Sequence, residues 1–241
     1  MSSETSIRAS TRLPLARMLA EFGVIFLGVT LSFLADDWRQ LRTDRMDERL
    51  ALEELLADLD AEAADLSDLR AGSRDDAKAT LWIRHALGAA GVSLDSLSIN
   101  LGTIYNWYPY NAAAPTYAGL RFTGRLTLIR DDELRRDITK YYEERQPYIA
   151  GFFESYYGLW LDLREAVAWD VEWRLPEGAT SNLEYGEISL KRPWRERPND
   201  PLLHHRLELF GILAEVIELR SGEVLAENDA LRKAITRSLS Q

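Results

Sequence analysis

The pattern of apolar and polar positions predicts one long helix at the start of the chain. LPLARMLAEFGVIFLGVTLSFLA, from Leu13, runs without a breaker into DDWRQLRTDRMDERLALEELLADLDAEAADLSDLRA, which ends at Ala71. From Phe22 to Ala35 every residue is apolar or small. Beyond this run a stripe appears at Trp38, Leu41, Leu52, Leu55, Leu59, Leu66 and Leu69, with the spacings of a helix seam. Arg45, Glu48 and Glu62 fall on the same stripe, so charge interrupts it. Glu53, Glu54, Asp58, Asp60, Asp65 and Asp68 make the opposite side acidic, which reads as a solvated face. The pair Gly72-Ser73 predicts the end of the helix.

Further along, residues 74–90 read as a second helix closed by Gly88 and Gly91, and Ser93 or Asp95 caps a third that reaches about Tyr105. Pro115 suits the first turn of a short helix ending at Gly124, where a positive φ is expected. The chain should then run extended through Leu126 and Leu128 until Asp131 caps a long helix. Ile138, Tyr142, Ile149, Phe152, Tyr156, Leu159 and Leu163 continue that helix as a stripe, with a kink expected at Pro147. Trp160, Trp169 and Trp173 carry the expected helix to about Leu175. Residues 176–201 are rich in Pro and Gly and read as a surface loop, with a short extended piece at Glu187 to Leu190. A return helix comes next, from Leu202 to Leu239, its seam at Leu203, Phe210, Leu213, Ile217, Val224 and Leu231.

The expected architecture is therefore all-α. One amino-terminal transmembrane helix, residues 13–35, continues into an elongated antiparallel helical bundle. The divisions are a polar tail at 1–12, the span at 13–35, the strut and bundle at 36–175, the loop at 176–201 and the return helix at 202–241. Arg17 and Glu21 lie inside the proposed span; Arg17 sits near its end, where a long stem can snorkel. Trp38 suits an interfacial position. A cleaved signal peptide is a weaker reading, because no A-x-A-like site closes the apolar run. A buried helix of a soluble protein is a third. Arg8, Arg12 and Arg17 before the run nearly balance Arg39, Arg42, Arg45 and Arg49 after it, so orientation is weakly set, leaning to a cytoplasmic amino terminus.

Composition narrows the function classes. The net charge of −10 and pI near 4.9 argue against a nucleic-acid partner, since phosphate recognition needs a basic face. The chain has no cysteine, which excludes disulfides, thiolate metal sites and cysteine nucleophiles. Adjacent His204 and His205 cannot face one way on a helix, and no Glu precedes any His by three positions as a di-iron bundle requires. The sequence carries no recognised catalytic motif, so neither an enzymatic activity nor a cofactor is expected.

Aromatic residues are the densest chemical feature, between Tyr105 and Trp160. They read first as bundle core. The alternative is a cluster for a ligand or partner built from Tyr108, Tyr141, Tyr142, Phe152, Tyr156 and Trp160, where rings stack and hydroxyls orient. In the apolar run, Gly28 and Ser32 form a small-xxx-small pair that would let two helices approach.

Two stretches resemble a family of single-pass bacterial membrane proteins built on a domain of unknown function. The first is FGVIFLGVTLSFLADDWRQLRTDRMDERLALEELLADL, with Gly28, Asp36, Asp37, Trp38 and Leu55-Leu56. The second is TYAGLRFTGRLTLIRDDELRRDITKYYEE, with Gly124, Leu126 to Ile129, Asp132, Leu134, Arg135 and Tyr141-Tyr142. The resemblance implies the anchored topology and supplies no activity or site. The resulting expectation is a non-enzymatic, membrane-anchored scaffold or partner-binding protein. It would contact the bilayer through residues 13–35, pair with a protein partner or with its own copies, and sit in the bacterial inner membrane with its bulk in the periplasm. The rival is an extracytoplasmic sensor with a ligand pocket in the aromatic bundle.

Overall fold

The computed structural model describes residues 13–87, 89, 91–168, 170–174, 187–190 and 200–240. The polar tail 1–12, Trp169 and most of the 176–201 loop lie outside the described residues. The described chain is mostly helical, in two compact units, Met1–Leu50 and Ala51–Gln241. The helices are α1 (Leu13–Leu87), α2 (Leu94–Tyr105), α3 (Pro115–Phe122), α4 (Asp132–Lys140), α5 (Gln146–Val167) and α6 (Pro201–Leu239).

Helix α1 does not stop at Gly72-Ser73; it continues to Leu87 and absorbs the expected second helix. The reason lies in packing. A Cβ on Gly72 would stand 2.1 Å from the Tyr108 ring, so the glycine is there to admit that ring and not to end the helix. With the helix continuous, the burial pattern resolves into a heptad. Leu52, Leu55, Leu59, Glu62, Leu66, Leu69, Ser73, Asp76, Thr80, Ile83 and Leu87 are all buried, at alternating steps of three and four. Helix α6 answers with the same alternation through Leu203, Leu207, Phe210, Ala214, Ile217, Ser221, Val224, Asn228, Leu231 and Ile235. The return helix thus lies where its apolar period predicts, and Leu213 sits beside its seam, half-buried.

The ion pairs fix the packing direction. Asp60 pairs with Arg232, Arg74 with Glu218 at 2.6 Å and Arg84 with Glu208 at 3.3 Å; each step along α1 is matched by a step back along α6. The two helices are antiparallel over their whole shared length. Helix α5 runs parallel to α1, since Gln146 meets Glu62 and Tyr156 meets Asp76. It is antiparallel to α6, with Arg145 on Glu227 and Tyr156 stacked on Phe210 at 5.1 Å.

Pro147 produces no break. A π-helical turn, Tyr141–Arg145, sits immediately before it, and the Gln146 N–H donates to the Tyr141 carbonyl. The wider turn accommodates the proline at the start of α5. It also inserts one residue into the stripe and rotates the helix beyond it. The α5 seam is therefore Ile149, Tyr156, Trp160, Leu163 and Val167, while Phe152 and Leu159 are half-buried.

The connection into α4 obeys its capping chemistry. Gly124 has φ +70° after α3, and the Asp131 side chain accepts from the Glu133 and Leu134 N–H groups at 2.9 and 3.1 Å. Between them the chain is not extended as expected: Arg125–Leu128 forms a 3-10 turn, and the residue driven fully inward is Ile129.

The all-α expectation holds, and the one local difference lies at the end of α5. Helix α5 ends at Val167, short of Leu175. Val171–Arg174 (β1) pairs antiparallel with Glu187–Leu190 (β2), Val171 opposite Leu190 and Arg174 opposite Glu187. The β-branched and aromatic residues of VEWR suit a strand better than a last helical turn.

The expected span at 13–35 is not shown by the structure. Among the described residues no helix is long and apolar enough to cross a membrane. The run from Phe22 to Ala35 covers about 21 Å at ~1.5 Å per residue, against ~30 Å of hydrocarbon. Glu21 precedes it and Asp36 and Asp37 come directly after it. The segment is nevertheless helical, and its large apolar side chains stand exposed from Met18 to Trp38.

Candidate functional site

Two carboxyl groups occupy the apolar seam of α1, and the chemistry of the bundle interior is organised around them. The residues about them come from α1, α5, α6, the π turn and the segment after α2.

Glu62 is 3% exposed. Its Oε1 accepts from the Tyr110 hydroxyl at 2.7 Å and from Gln146 Nε2 at 3.1 Å; its Oε2 accepts from the Tyr141 hydroxyl at 2.9 Å. Asn228 on α6 extends the network, its Nδ2 donating to the Tyr141 hydroxyl and to the Leu59 carbonyl, each at 3.1 Å. Burial beside Glu62 pushes the Tyr110 and Tyr141 phenols well above their ordinary range, so both remain protonated donors. The π turn presents Tyr141 and its neighbour in this arrangement. Tyr142 turns edge-on to Tyr141 and stacks on Tyr117 at 4.8 Å; Tyr117 donates to Glu143 at 2.7 Å.

Asp76 has no accessible surface. The Tyr156 hydroxyl donates to its Oδ2, while Oδ1 has no hydrogen-bond partner among the described residues. Thr80 spends its hydroxyl on the Asp76 backbone carbonyl at 2.7 Å and leaves the side chain unaided. Burial raises the Asp76 carboxyl from 3.8 to about 7; the Tyr156 hydrogen bond opposes that shift and the charge of Asp75 adds to it.

A third aromatic group lies at the other end of α5. Trp107 packs against Phe153, Tyr157 and Trp160 at 4.7 to 5.3 Å. The Trp160 indole donates to the Ile104 carbonyl at 2.7 Å, and the Arg164 guanidinium lies over its ring at 4.3 Å.

The six aromatic residues singled out in the sequence therefore divide. Tyr141, Tyr142, Tyr156 and Trp160 are buried, and Tyr108 and Phe152 are half-buried. Tyr141 and Tyr142 meet; Tyr156 belongs to the Asp76 layer, beside Tyr108, and Trp160 to the third group. Rings pack on rings and on the seams of α1 and α6. The grooves nearby are open and lie on the surface. One of about 350 Å³ runs between α4 and α6, lined by Asp137, Lys140, Tyr141, Arg145, Glu227 and Leu231 among others.

Sequence reasoning places Glu62 on the seam without giving it a role, and passes over Asp76, Gln146 and Asn228. The missed signal is the heptad itself. Ser73, Asp76, Thr80 and Ile83 keep the spacing that begins at Leu52, and a carboxyl at such a position requires partners from facing elements. Of the acidic face, Asp60 pairs with Arg232, and Asp58 accepts from the Thr116 N–H at 3.0 Å.

Neither seam carboxyl presents surface to a solute. Their chemistry is internal: Glu62 ties four segments to one layer, and Asp76 places a titratable group in the core. No family model, curated protein or solved structure matches the chain.

Proposed function

We propose that the protein is a non-enzymatic scaffold held at a lipid bilayer by the amino-terminal part of α1, with the bundle beyond Ala51 as its partner-binding body. One observation carries the reading. From Met18 to Trp38 the large apolar side chains project on every side of the helix, 49 to 71% exposed among the described residues of the chain. A helix apolar all round is a buried helix, and a lipid bilayer is the medium that can bury it on most of its sides. Its polar side chains are quiet: Thr30 and Ser32 donate to the Phe26 and Gly28 carbonyls at 2.8 and 2.9 Å, so neither requires water. Extending the run back towards Leu13 supplies the missing length for a span. A signal-anchor orientation puts the bundle on the periplasmic side of a bacterial inner membrane; the resemblance to single-pass bacterial membrane proteins is part of the same proposal.

Partner binding is supported by a second stripe on α6. Leu202, Leu209, Ile212 and Leu219 are exposed along its outer face, away from the seam. Charged and polar residues surround them, as at the rim of a protein interface. Nothing in the packing favours the sensor alternative, because the aromatic rings fill the interior they would need to leave open.

The test is fractionation of the full chain. It is expected in the membrane fraction and resistant to carbonate at high pH. Ile25→Arg with Val29→Arg should release it, since each mid-bilayer charge costs at least ~2.5 kcal/mol. Recovery of the unaltered chain in the soluble fraction without detergent overturns the reading; extraction by carbonate alone reduces it to surface attachment.

A further inference from the structure

The heptad that organises α1 inside the bundle does not begin at Leu52. Counted back in the same register, the seam positions are Glu48, Arg45, Leu41, Trp38, Leu34, Leu31, Leu27 and Val24. All six apolar ones are exposed. The bundle explains why its own helices leave them bare. Arg232 of α6 pairs with Asp60, and α6 ends seven residues later at Leu239, the level of Glu53. The earlier positions are exposed among the described residues.

We propose that this seam is covered by the same seam of a second copy, as a parallel two-stranded coiled coil from Val24 to Arg49. The flanking charges select the copy and its direction. In a parallel pair the residue before each first seam position faces the residue five further on in the partner helix. Here those pairs are Asp37 with Arg42 and Asp44 with Arg49, each acid meeting a base. An antiparallel pair would set acid on acid and base on base. Leucine fills the second seam position at Leu27, Leu34 and Leu41, as two-stranded coils prefer. Arg45 and Glu48 then form adjacent seam layers of opposite charge, a device that fixes register at some cost in stability. The rival face is the groove of about 440 Å³ lined by Ile25, Gly28, Val29, Ser32, Phe33 and Asp36. Small residues admit a close helix there, but a parallel pair on that face brings two Asp36 side chains together.

The inference does not rest on the membrane reading. Left-handed heptad packing joins helices in water and in lipid alike. It goes beyond that reading by naming the partner of one surface and the direction of its approach.

The absence of cysteine makes the test clean. Single replacements Leu27→Cys, Leu34→Cys and Leu41→Cys on the seam are compared with Val29→Cys, Phe33→Cys and Gln40→Cys away from it. Each full-length chain is oxidised both in membranes and in mild detergent, and the covalent dimer is read on a denaturing gel. These side chains are exposed, so the bundle should fold in every variant, checked by circular dichroism. Dimer is expected at the three seam positions and lost at the other three. Asp37→Arg with Asp44→Arg should lose the Leu41→Cys crosslink, and mixing with an Arg42→Asp, Arg49→Asp chain should restore it. Crosslinks strongest at Val29 and Phe33, an even pattern, or a monomer throughout overturns the proposal. Seam crosslinks in a chain that never fractionates with membranes retain this inference and remove the bilayer reading.

Discussion

Glu62 and Asp76 stand two heptads apart at the same kind of seam position on α1, yet the bundle treats them oppositely. Glu62 receives two phenol hydroxyls and a carboxamide, with Asn228 bracing one of the phenols. Asp76 receives one phenol and keeps a bare oxygen. The difference teaches that burial alone does not decide what a core carboxyl does. The number of donors aimed at it does. With three, it cross-links α1, the π turn, the start of α5 and the Tyr110 segment. With one, it becomes a site where burying charge remains uncompensated, and protonation is the relief.

The largest effect should come from Glu62→Ala. It leaves two buried phenol donors without an acceptor, takes one of two acceptors from Gln146 and opens a cavity, at a cost of about 3–5 kcal/mol. Chemical denaturation of the full chain in mild detergent reads this loss. If it falls below that of an ordinary surface change, the Glu62 layer is not the stronger one.

Next is the pH dependence set by Asp76. Its folded value of about 7 lies above the unfolded 3.8, so the folded chain holds the proton more tightly. The resulting stability is fully present below the unfolded value and is lost as pH rises towards about 7. The change is about 4 kcal/mol, at ~1.4 kcal/mol per unit. Unfolding measured from pH 4 to pH 8 should show that decline, and Asp76→Asn should flatten it. An unchanged slope in that variant would place the titrating group elsewhere.

Gly72→Ala tests the cover over the same layer. The added methyl collides with the Tyr108 ring, so the ring must move, at about 1–3 kcal/mol. Water then gains access to Asp76, and the pH-dependent loss should shrink towards the ordinary carboxylate range. A variant of unchanged stability and slope would mean that Tyr108 does not shield Asp76.

The smallest effect is expected of Tyr156→Phe, about 1–3 kcal/mol near neutral pH, because it removes the one donor that Asp76 has. That bond holds the carboxyl down, so its loss should move the pH midpoint upward. Tyr141→Phe should leave the pH profile unchanged, since Tyr141 does not touch Asp76. Equal pH responses in the two variants would erase the distinction between the layers.

How much of the molecule can be read from its residues depends on their range of action. Asp131 as an N-cap, Gly124 at positive φ, Ser93 as the cap of α2 and Pro115 at the head of α3 each depend on a few neighbours in sequence. All are legible. So is the return helix, because its apolar period is long, with only Ser221 and Asn228 polar along the seam. The aromatic residues are visible as core material, but their division into three groups is not. Which ring meets which is decided by a π turn that shifts the α5 face by one residue, and no local pattern announces it.

The sequence by itself determined the helical class, the return helix, the caps at Ser93 and Asp131, and the apolar run from Phe22 to Ala35, because periodicity and capping are properties of short stretches of backbone. Only the tertiary structure decided that Gly72 lies within a helix, that Pro147 breaks nothing, and that one seam carboxyl is satisfied while the other is strained by burial. Those outcomes depend on atoms far along the chain: the Tyr108 ring over Gly72, and Tyr110, Tyr141 and Gln146 around Glu62. A glycine looks the same in sequence whether it frees the backbone or makes room for a ring. Only the arrival of the ring tells the two apart.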